Sequence, residues 1–129
     1  MTKRKLEKVL KDLACHDKEL SILFTGDERI AELNNHYLHR RGPTNVLAFP
    51  MSVEEPNMVD SGMMGDVVIS VDTALRESVE IGEPVTQTID RLLIHGILHL
   101  LGYDHEKSAV EALQMEREEK RLLALMMEE

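Results

Sequence analysis

Three histidines lie close together in the C-terminal third of the chain, in the segment HGILHLLGYDH that runs from His95 through His99 to His105. Each residue of an α-helix advances about 100° around the helix axis, so His95 and His99 lie about 40° apart on one face. Gly102 is a typical left-handed helix stop, which lets the chain bend back and bring His105 towards the pair. Three neutral imidazoles leave one tetrahedral position open for water, as in catalytic zinc sites. The sequence therefore predicts that these three histidines bind one transition-metal ion, Zn²⁺.

The spacing of His95 and His99 also has a trivial explanation, because two histidines four residues apart are often accidental. Here the surrounding segment is rich in leucine and is typical of a buried helix, where two imidazoles without partners would be costly. The pair is also similar to the H-E-x-x-H helix of zincin metalloproteases, in which the glutamate after the first histidine is the general base. That position is Gly96 in this chain, so peptide hydrolysis by the usual route lacks its base. A zinc ion can lower the pKa of its own water to near neutrality, which leaves other hydrolytic reactions open.

The elements that must position these histidines follow from hydrophobic periodicity and from helix-capping residues. The patterns predict helices over residues 2–14, 26–38, 73–81, 84–101 and 106–127, and strands over residues 20–24, 44–49 and 66–71. Thr25 and Glu28 form a capping-box pattern at the start of the second helix. Asp72 is a suitable N-cap for the third helix, and Pro84 suits the first position of the fourth.

Separated strands interleaved with helices indicate an α+β domain rather than a bundle or a sandwich. We expect a single small mixed sheet of three to four strands, with the fourth strand within residues 51–64, packed with several helices. One of these helices is the zincin-like, metal-binding helix. The 129 residues are the usual length of one domain, so residues 1–129 are interpreted as a single unit.

The charge of the chain is unevenly distributed. The formal net charge of −9 argues against broad, sequence-blind binding to nucleic acid. Residues 1–12 are basic on balance and residues 104–129 are acidic, which is either a pair of solvated helix faces or one face presented to RNA. Trp is absent and other aromatic residues are few, so we do not expect base stacking on an aromatic platform to drive binding.

The cellular compartment is predicted from cysteine usage and hydropathy. Cys15 is the only cysteine, so no intramolecular disulfide is possible, and a free thiol is typical of a reducing compartment. The first residues carry charges and no apolar region of the signal-peptide kind. No apolar run is long enough for a membrane span. We therefore expect a soluble protein of the cytoplasm.

Three blocks of the sequence carry a resemblance to a known family. HGILHLLGYDH closely resembles the H-G-x-L-H-L-x-G-Y-D-H signature of the YbeY family, bacterial metal-dependent endoribonucleases that mature rRNA. PTNVLAFP at 43–50 and GDVVIS at 65–70 are similar to two further family blocks, in the same order and spacing. The resemblance covers roughly residues 20–125. It implies a zincin-like α+β fold, one zinc ion on three histidines, and cleavage of single-stranded RNA. It also implies a role in small-subunit rRNA maturation and ribosome quality control, with ribosomal proteins as partners.

The chain departs from the family pattern at the end of its second helix. The family usually has an arginine after the tyrosine of its L-N-x-x-Y-R segment, and that arginine is thought to act in the active site. Here the position holds Leu38, and the candidates to replace the arginine are Arg40 and Arg41. The alternative is that both are exposed arginines of a turn. A second departure is Ala48, which stands where the family usually has serine.

Other polar residues near the motifs have two interpretations each. Asp104 could orient His105 or another ligand imidazole, or it could simply form a turn. Thr44 and Asn45 could line a cleft beside the metal, or they could make turn hydrogen bonds.

Three functions remain open from the sequence. The first is a zinc-dependent endoribonuclease specific for single-stranded RNA, in which a metal-bound water attacks the phosphodiester and an arginine stabilises the developing charge. The second is a ribosome-assembly or RNA-binding factor in which the metal holds the fold and turnover is negligible. The third is a metallohydrolase of another small phosphoester or amide substrate.

Overall fold

The computed structural model describes residues 3–15, 18–50, 63–104 and 106–127. In chain order its elements are α1 (Lys3–Asp12), β1 (Glu19–Thr25), α2 (Asp27–Leu38), β2 (Val46–Pro50), β3 (Met63–Ser70), α3 (Val71–Ile81), α4 (Val85–Leu100) and α5 (Ala109–Met127). Within these residues the strands form one three-stranded sheet packed with helices, so the predicted α+β class is confirmed. Of the segment 51–64 expected to contain a fourth strand, residues 51–62 lie outside the described ranges and the last two begin β3.

The sheet is centred on β3, which lies between β1 and β2. β1 runs parallel to β3, with Ile22 opposite Val67, and β2 runs antiparallel to it, with Leu47 opposite Val68. The second half of β3 is a continuous apolar run, which is typical of a strand that is covered on both faces. In the described part of the chain, β1 and β2 are therefore the edge strands.

The helix that carries the histidine pair, α4, lies at the centre of the core because both of its faces are apolar. Ile97 on one face shares a buried cluster with Val67 of β3. Ile94 and Leu98, on a different face of the helix, pack with residues of α1 and α5. Ile30 of α2 covers the other side of the sheet. The position of α4 is thus fixed from two sides.

The N-terminus of α2 is capped by a residue that is distant in sequence. Its N-cap is Gly26, which has no side chain to offer, and Oδ2 of Asp72 accepts a hydrogen bond of 3.0 Å from the backbone N–H of Asp27. The predicted capping box of Thr25 and Glu28 is therefore wrong. The two helices α2 and α3 begin side by side at the ends of neighbouring parallel strands, which brings the Asp72 carboxylate within reach.

The start of α3 depends on the same junction. Its N-cap is Ser70, whose Oγ accepts a hydrogen bond of 3.3 Å from the N–H of Thr73, so the prediction of Asp72 as the cap is also wrong. Oδ1 of Asp27 accepts hydrogen bonds from the hydroxyls of Thr73 at 2.6 Å and Ser70 at 2.7 Å. Arg76 adds an ion pair of 2.7 Å. These bonds, that of Thr73 foremost, lower the pKa of Asp27 to about 2.

Both ends of α4 lie close to where the sequence places them. Pro84 occupies the N-cap instead of the first helical position, so the helix begins one residue later than predicted. Gly102 has a φ of 98°, which is the left-handed conformation expected just after the helix. No helix of the described ranges is long and apolar enough to cross a bilayer.

Candidate metal centre

The side chains of His95 and His99 converge from adjacent turns of α4, as the sequence predicts. Their Nε2 atoms lie 3.1 Å apart, and the ring centroids are separated by 4.7 Å. Two imidazole nitrogens on one tetrahedral zinc, each bonded at 2.0–2.1 Å, are about 3.3 Å apart. The pair therefore fits a shared zinc ion.

The third predicted ligand, His105, lies outside the described residues. Among the residues that are described, no group of three histidine, cysteine or carboxylate side chains is arranged to hold a metal ion. The complete ligand set of His95, His99 and His105 thus stays a prediction, of which the structure describes the two helical members.

A carboxylate of α5 orients the first histidine. Nδ1 of His95 lies 2.5 Å from Oε1 of Glu119. Because a carboxylate only accepts hydrogen bonds, Nδ1 carries the proton and donates it, and the Nε2 atom faces His99. Carboxylates commonly fix ligand imidazoles of metal sites in this way. The sequence gives no signal for Glu119, because α5 carries several glutamates and only its packing against α4 selects this one.

Gly96, between the two histidines, has a packing role. A Cβ atom at this position would lie 2.7 Å from Cγ1 of Val67 in β3 and 3.4 Å from Cγ2 of Val46 in β2. The glycine therefore lets α4 lie directly against the sheet and brings the histidines beside β2. A glutamate, which zincin proteases carry here, would have no space. The contact of Gly96 with Val67 and Val46 is therefore a steric reason why this chain lacks the glutamate that acts as general base in zincin proteases.

The histidine pair lines an open cleft of about 650 Å³. Its walls are the C-terminal end of α2, the α2–β2 turn, the strand β2, the C-terminal half of α4 and the turn between α4 and α5. The lining residues are Asn34, Leu38, Arg40, Arg41, Pro43, Thr44, Asn45, Val46, Leu47, Ala48, His95, Gly96, His99, Asp104 and Glu106. The structure thus brings Arg40, Arg41 and Asp104 into the same cavity as the two histidines.

Comparison with known proteins assigns the chain to a family. The sequence model described as endoribonuclease YbeY matches residues 1–127. The chain belongs to the YbeY endoribonuclease family. It is 43% identical to endoribonuclease YbeY of Syntrophus aciditrophicus, over 96% of this chain and 78% of the relative. It is 45% identical to endoribonuclease YbeY of Geobacter metallireducens, over 93% of this chain and 81% of the relative. The solution structure of TM1509 from Thermotoga maritima is similar, with a TM-score of 0.68 and 27% identity over 96% of this chain and 77% of that one.

The YbeY-family arginine position is part of the cleft wall. Leu38, which occupies it here, lines the cavity together with Arg40 and Arg41. Nη2 of Arg40 forms an ion pair of 3.6 Å with Oε2 of Glu106, and both side chains are more than 60% exposed. Such an exposed ion pair contributes little stability, so Arg40 can readily exchange the Glu106 carboxylate for another anion. Arg41 has no ion-pair partner among the described residues. Two guanidinium groups are thus available in the cleft that lacks the family arginine.

Asn34 holds the turn that carries both arginines. Its buried side-chain Nδ2 donates a hydrogen bond of 3.0 Å to the carbonyl oxygen of Gly42. Its own carbonyl oxygen accepts a hydrogen bond of 3.3 Å from the N–H of Arg40. The sequence carries no signal for this role, since an asparagine on a helix gives no indication that it will anchor the following turn.

Two of the remaining polar candidates of this YbeY-family cleft, Asn45 and Asp104, form hydrogen bonds. Nδ2 of Asn45 donates a bond of 3.0 Å to Oε1 of Glu77. Oδ1 of Asp104 accepts a bond of 2.9 Å from the N–H of Glu106, two residues further on. Asp104 therefore forms a turn, as one of its two interpretations expects. A role in orienting a ligand histidine stays a prediction. Thr44 lines the cleft, as one of its two interpretations expects.

Proposed function

We propose that this chain is a zinc-dependent endoribonuclease that cleaves single-stranded RNA and acts in maturation of small-subunit rRNA and in ribosome quality control. The observation that supports this most is the convergence of the His95 and His99 Nε2 atoms in a cleft that also contains two arginines. Two relatives of 43% and 45% identity carry the name endoribonuclease, which supports RNA as the substrate. The proposal includes a cytoplasmic location and ribosomal or small-subunit proteins as partners.

In this proposal His95, His99 and His105 hold the ion. When bound, zinc supplies Lewis acidity and positive charge next to the scissile phosphodiester. Glu119 keeps the His95 ring fixed, with Nδ1 protonated and Nε2 directed towards its neighbour. A fixed ring costs no reorganisation when RNA enters, which favours the reaction.

The arginines of the α2–β2 turn bind and neutralise the RNA phosphates. Attack at phosphorus concentrates negative charge on the non-bridging oxygens, and a guanidinium can hold two of them at once. Arg41 is available for this without breaking an ion pair of the described residues. Arg40 must first exchange the carboxylate of Glu106 for a phosphate.

A second candidate function is an RNA-binding assembly factor in which the metal stabilises the fold. The observation that favours it is Leu38, an apolar side chain in the cleft where the family usually has an arginine. This candidate predicts RNA binding without turnover. It also predicts that loss of a histidine lowers stability without changing any nuclease rate of the folded protein.

The experiment that separates these candidates is cleavage of a defined single-stranded RNA by wild type and His99→Ala, prepared side by side. His36→Ala, which changes an exposed histidine of α2, is the matched control. Folding and zinc content are measured for each sample. Cleavage by wild type and His36→Ala, but not by His99→Ala, supports the nuclease. Equal cleavage by all three, or none by folded, zinc-loaded wild type, refutes it.

A further inference from the structure

The outer edge of β2 forms one wall of the cleft. β2 pairs with β3 on one side only, and no strand of the described residues covers its other side. Val46, Leu47 and Ala48 line the cleft together with the two histidines. Backbone groups on this edge therefore lie in the same cleft as the histidine pair. Backbone N–H and C=O groups are strong hydrogen-bonding groups that require partners wherever water is excluded.

The register shows which backbone groups of β2 point away from β3. The N–H of Ser70 donates a hydrogen bond of 2.9 Å to the carbonyl oxygen of Asn45, so these two residues face each other as a hydrogen-bonded pair. Such pairs alternate with non-hydrogen-bonded pairs along an antiparallel ladder. The next hydrogen-bonded pair is Leu47 with Val68, and the N–H and C=O groups of Val46 and Ala48 point away from β3.

The position of Pro50 agrees with this assignment. It has the same parity as Val46 and Ala48, so the N–H that proline lacks would have pointed away from β3 and not into the ladder. Proline is tolerated in a strand at such outward-facing positions. Both the hydrogen-bond pattern between β2 and β3 and the position of Pro50 therefore indicate that the backbone groups of Val46 and Ala48 point away from β3.

We propose that Val46 and Ala48 each bind, through their backbone N–H and C=O groups, the Watson–Crick edge of an unpaired RNA base in the cleft. The inference rests on the proposed RNA substrate and deepens it. In an extended strand the N–H and C=O of one residue point to the same side, so each residue presents a donor beside an acceptor. Every RNA base has an adjacent acceptor and donor on its Watson–Crick edge. In a duplex these edges are already paired, whereas single strands expose them to proteins.

This contact has two consequences for substrate choice. It selects unpaired RNA over a duplex, because only an unpaired base has a free Watson–Crick edge. It does not select among the four bases, because each of them satisfies one donor and one acceptor. The strand edge also lies in the same cavity as Arg40 and Arg41, so one nucleotide could meet the strand edge through its base and an arginine through its phosphate.

The test is equilibrium binding of a labelled single-stranded RNA to the zinc-loaded protein, on ice and within a time over which a denaturing gel shows that the RNA stays intact. Ala48→Pro removes the N–H that faces the cleft and no ladder hydrogen bond. We expect its RNA affinity to fall about two- to tenfold, the usual effect of one hydrogen bond. A second variant, with an ester in place of the Ala48 backbone N–H, removes the same donor without constraining φ. The matched control is the same ester at Leu47, which removes an N–H that faces β3 and should lower stability instead of RNA affinity.

A fully abasic RNA of the same length distinguishes a base contact from a phosphate contact, because it keeps every phosphate and ribose and offers no base in any register. We expect it to bind wild type more weakly than intact RNA does and to lose no further affinity with Ala48→Pro. The proposal is overturned if the abasic RNA loses as much affinity as intact RNA on Ala48→Pro, since the N–H would then contact phosphate or ribose. It is also overturned if the ester at position 48 leaves RNA affinity unchanged. Because binding is measured without cleavage, these outcomes do not depend on whether the protein is a nuclease.

Discussion

Replacing Gly96 with alanine has two opposing effects on the free energy of unfolding. In a helix interior alanine is favoured over glycine by about 1 kcal/mol. In α4, however, the new methyl group would lie 2.7 Å from Cγ1 and 3.1 Å from Cγ2 of Val67. Overpacking of this kind costs about 1–3 kcal/mol. We therefore expect Gly96→Ala to lower the free energy of unfolding by up to about 2 kcal/mol, although helix propensity alone predicts a gain.

Urea unfolding of the metal-free protein measures this difference. Gln87→Ala, at an exposed site of the same helix, is the control and should stay within about 0.5 kcal/mol of wild type. If Gly96→Ala were more stable than wild type, α4 would not pack against Val67 of β3 as closely as the structure shows.

A double-mutant cycle with Val67→Ala identifies the contact itself. Val67→Ala removes both methyl groups that the new side chain would meet. We expect the two substitutions to couple favourably by about 0.5–2 kcal/mol, because each relieves part of the effect of the other. Strictly additive effects would refute the steric explanation even if Gly96→Ala alone were destabilising.

Three further predictions concern the site and the helix junction. Glu119→Gln should weaken zinc binding by about 10- to 100-fold in competition with a chelator. Glu116→Gln, which alters an exposed ion pair of the same helix, should leave zinc affinity unchanged. The pKa of Asp27 is about 2 in the folded protein and ordinarily 3.8, so its contribution to stability is complete above about pH 4 and is lost as the pH falls towards 2. The difference in urea midpoint between wild type and Asp27→Asn should therefore shrink across that window, and a constant difference would contradict the assignment. If the nuclease proposal holds, Arg41→Ala should lower kcat by about 100-fold, because it removes a group that stabilises charge in the transition state. Arg40→Ala should lower kcat less, because the guanidinium of Arg40 is also held in an ion pair with Glu106. Equal kcat values for wild type and Arg41→Ala would remove Arg41 from the mechanism.

The sequence predicts the elements of this fold well where one local pattern determines them. The apolar periodicity of α4 and the glycine that follows it place the histidine pair on one helical face, and the structure agrees. For Arg40 and Arg41 the sequence leaves two interpretations open, and the structure fits both, because the two residues line the cleft and are also exposed residues of a turn. The zinc ion itself stays a prediction.

The sequence fails where the deciding contact joins distant segments. The α2 N-terminus is capped by Asp72, and a local capping box could not anticipate an acceptor 45 residues away. Glu119 contacts His95 only because α5 packs beside α4, and none of its neighbours in sequence distinguishes it. Asn34 anchors the turn that carries Arg40 and Arg41 by a hydrogen bond to a carbonyl eight residues away, and no sequence motif indicates this bond. In each case tertiary packing, and not local propensity, selects the partner.

The contact between His95 and Glu119 has a consequence for the stage of protein synthesis at which the metal site can form. Glu119 belongs to α5, which is made after every other described helix, while the histidine pair belongs to α4. Domains generally fold as units as they emerge during synthesis. A nascent chain that ends before α5 therefore presents His95 without its carboxylate partner. The site that we propose to cut RNA is accordingly completed only after α5 has left the ribosome that makes it.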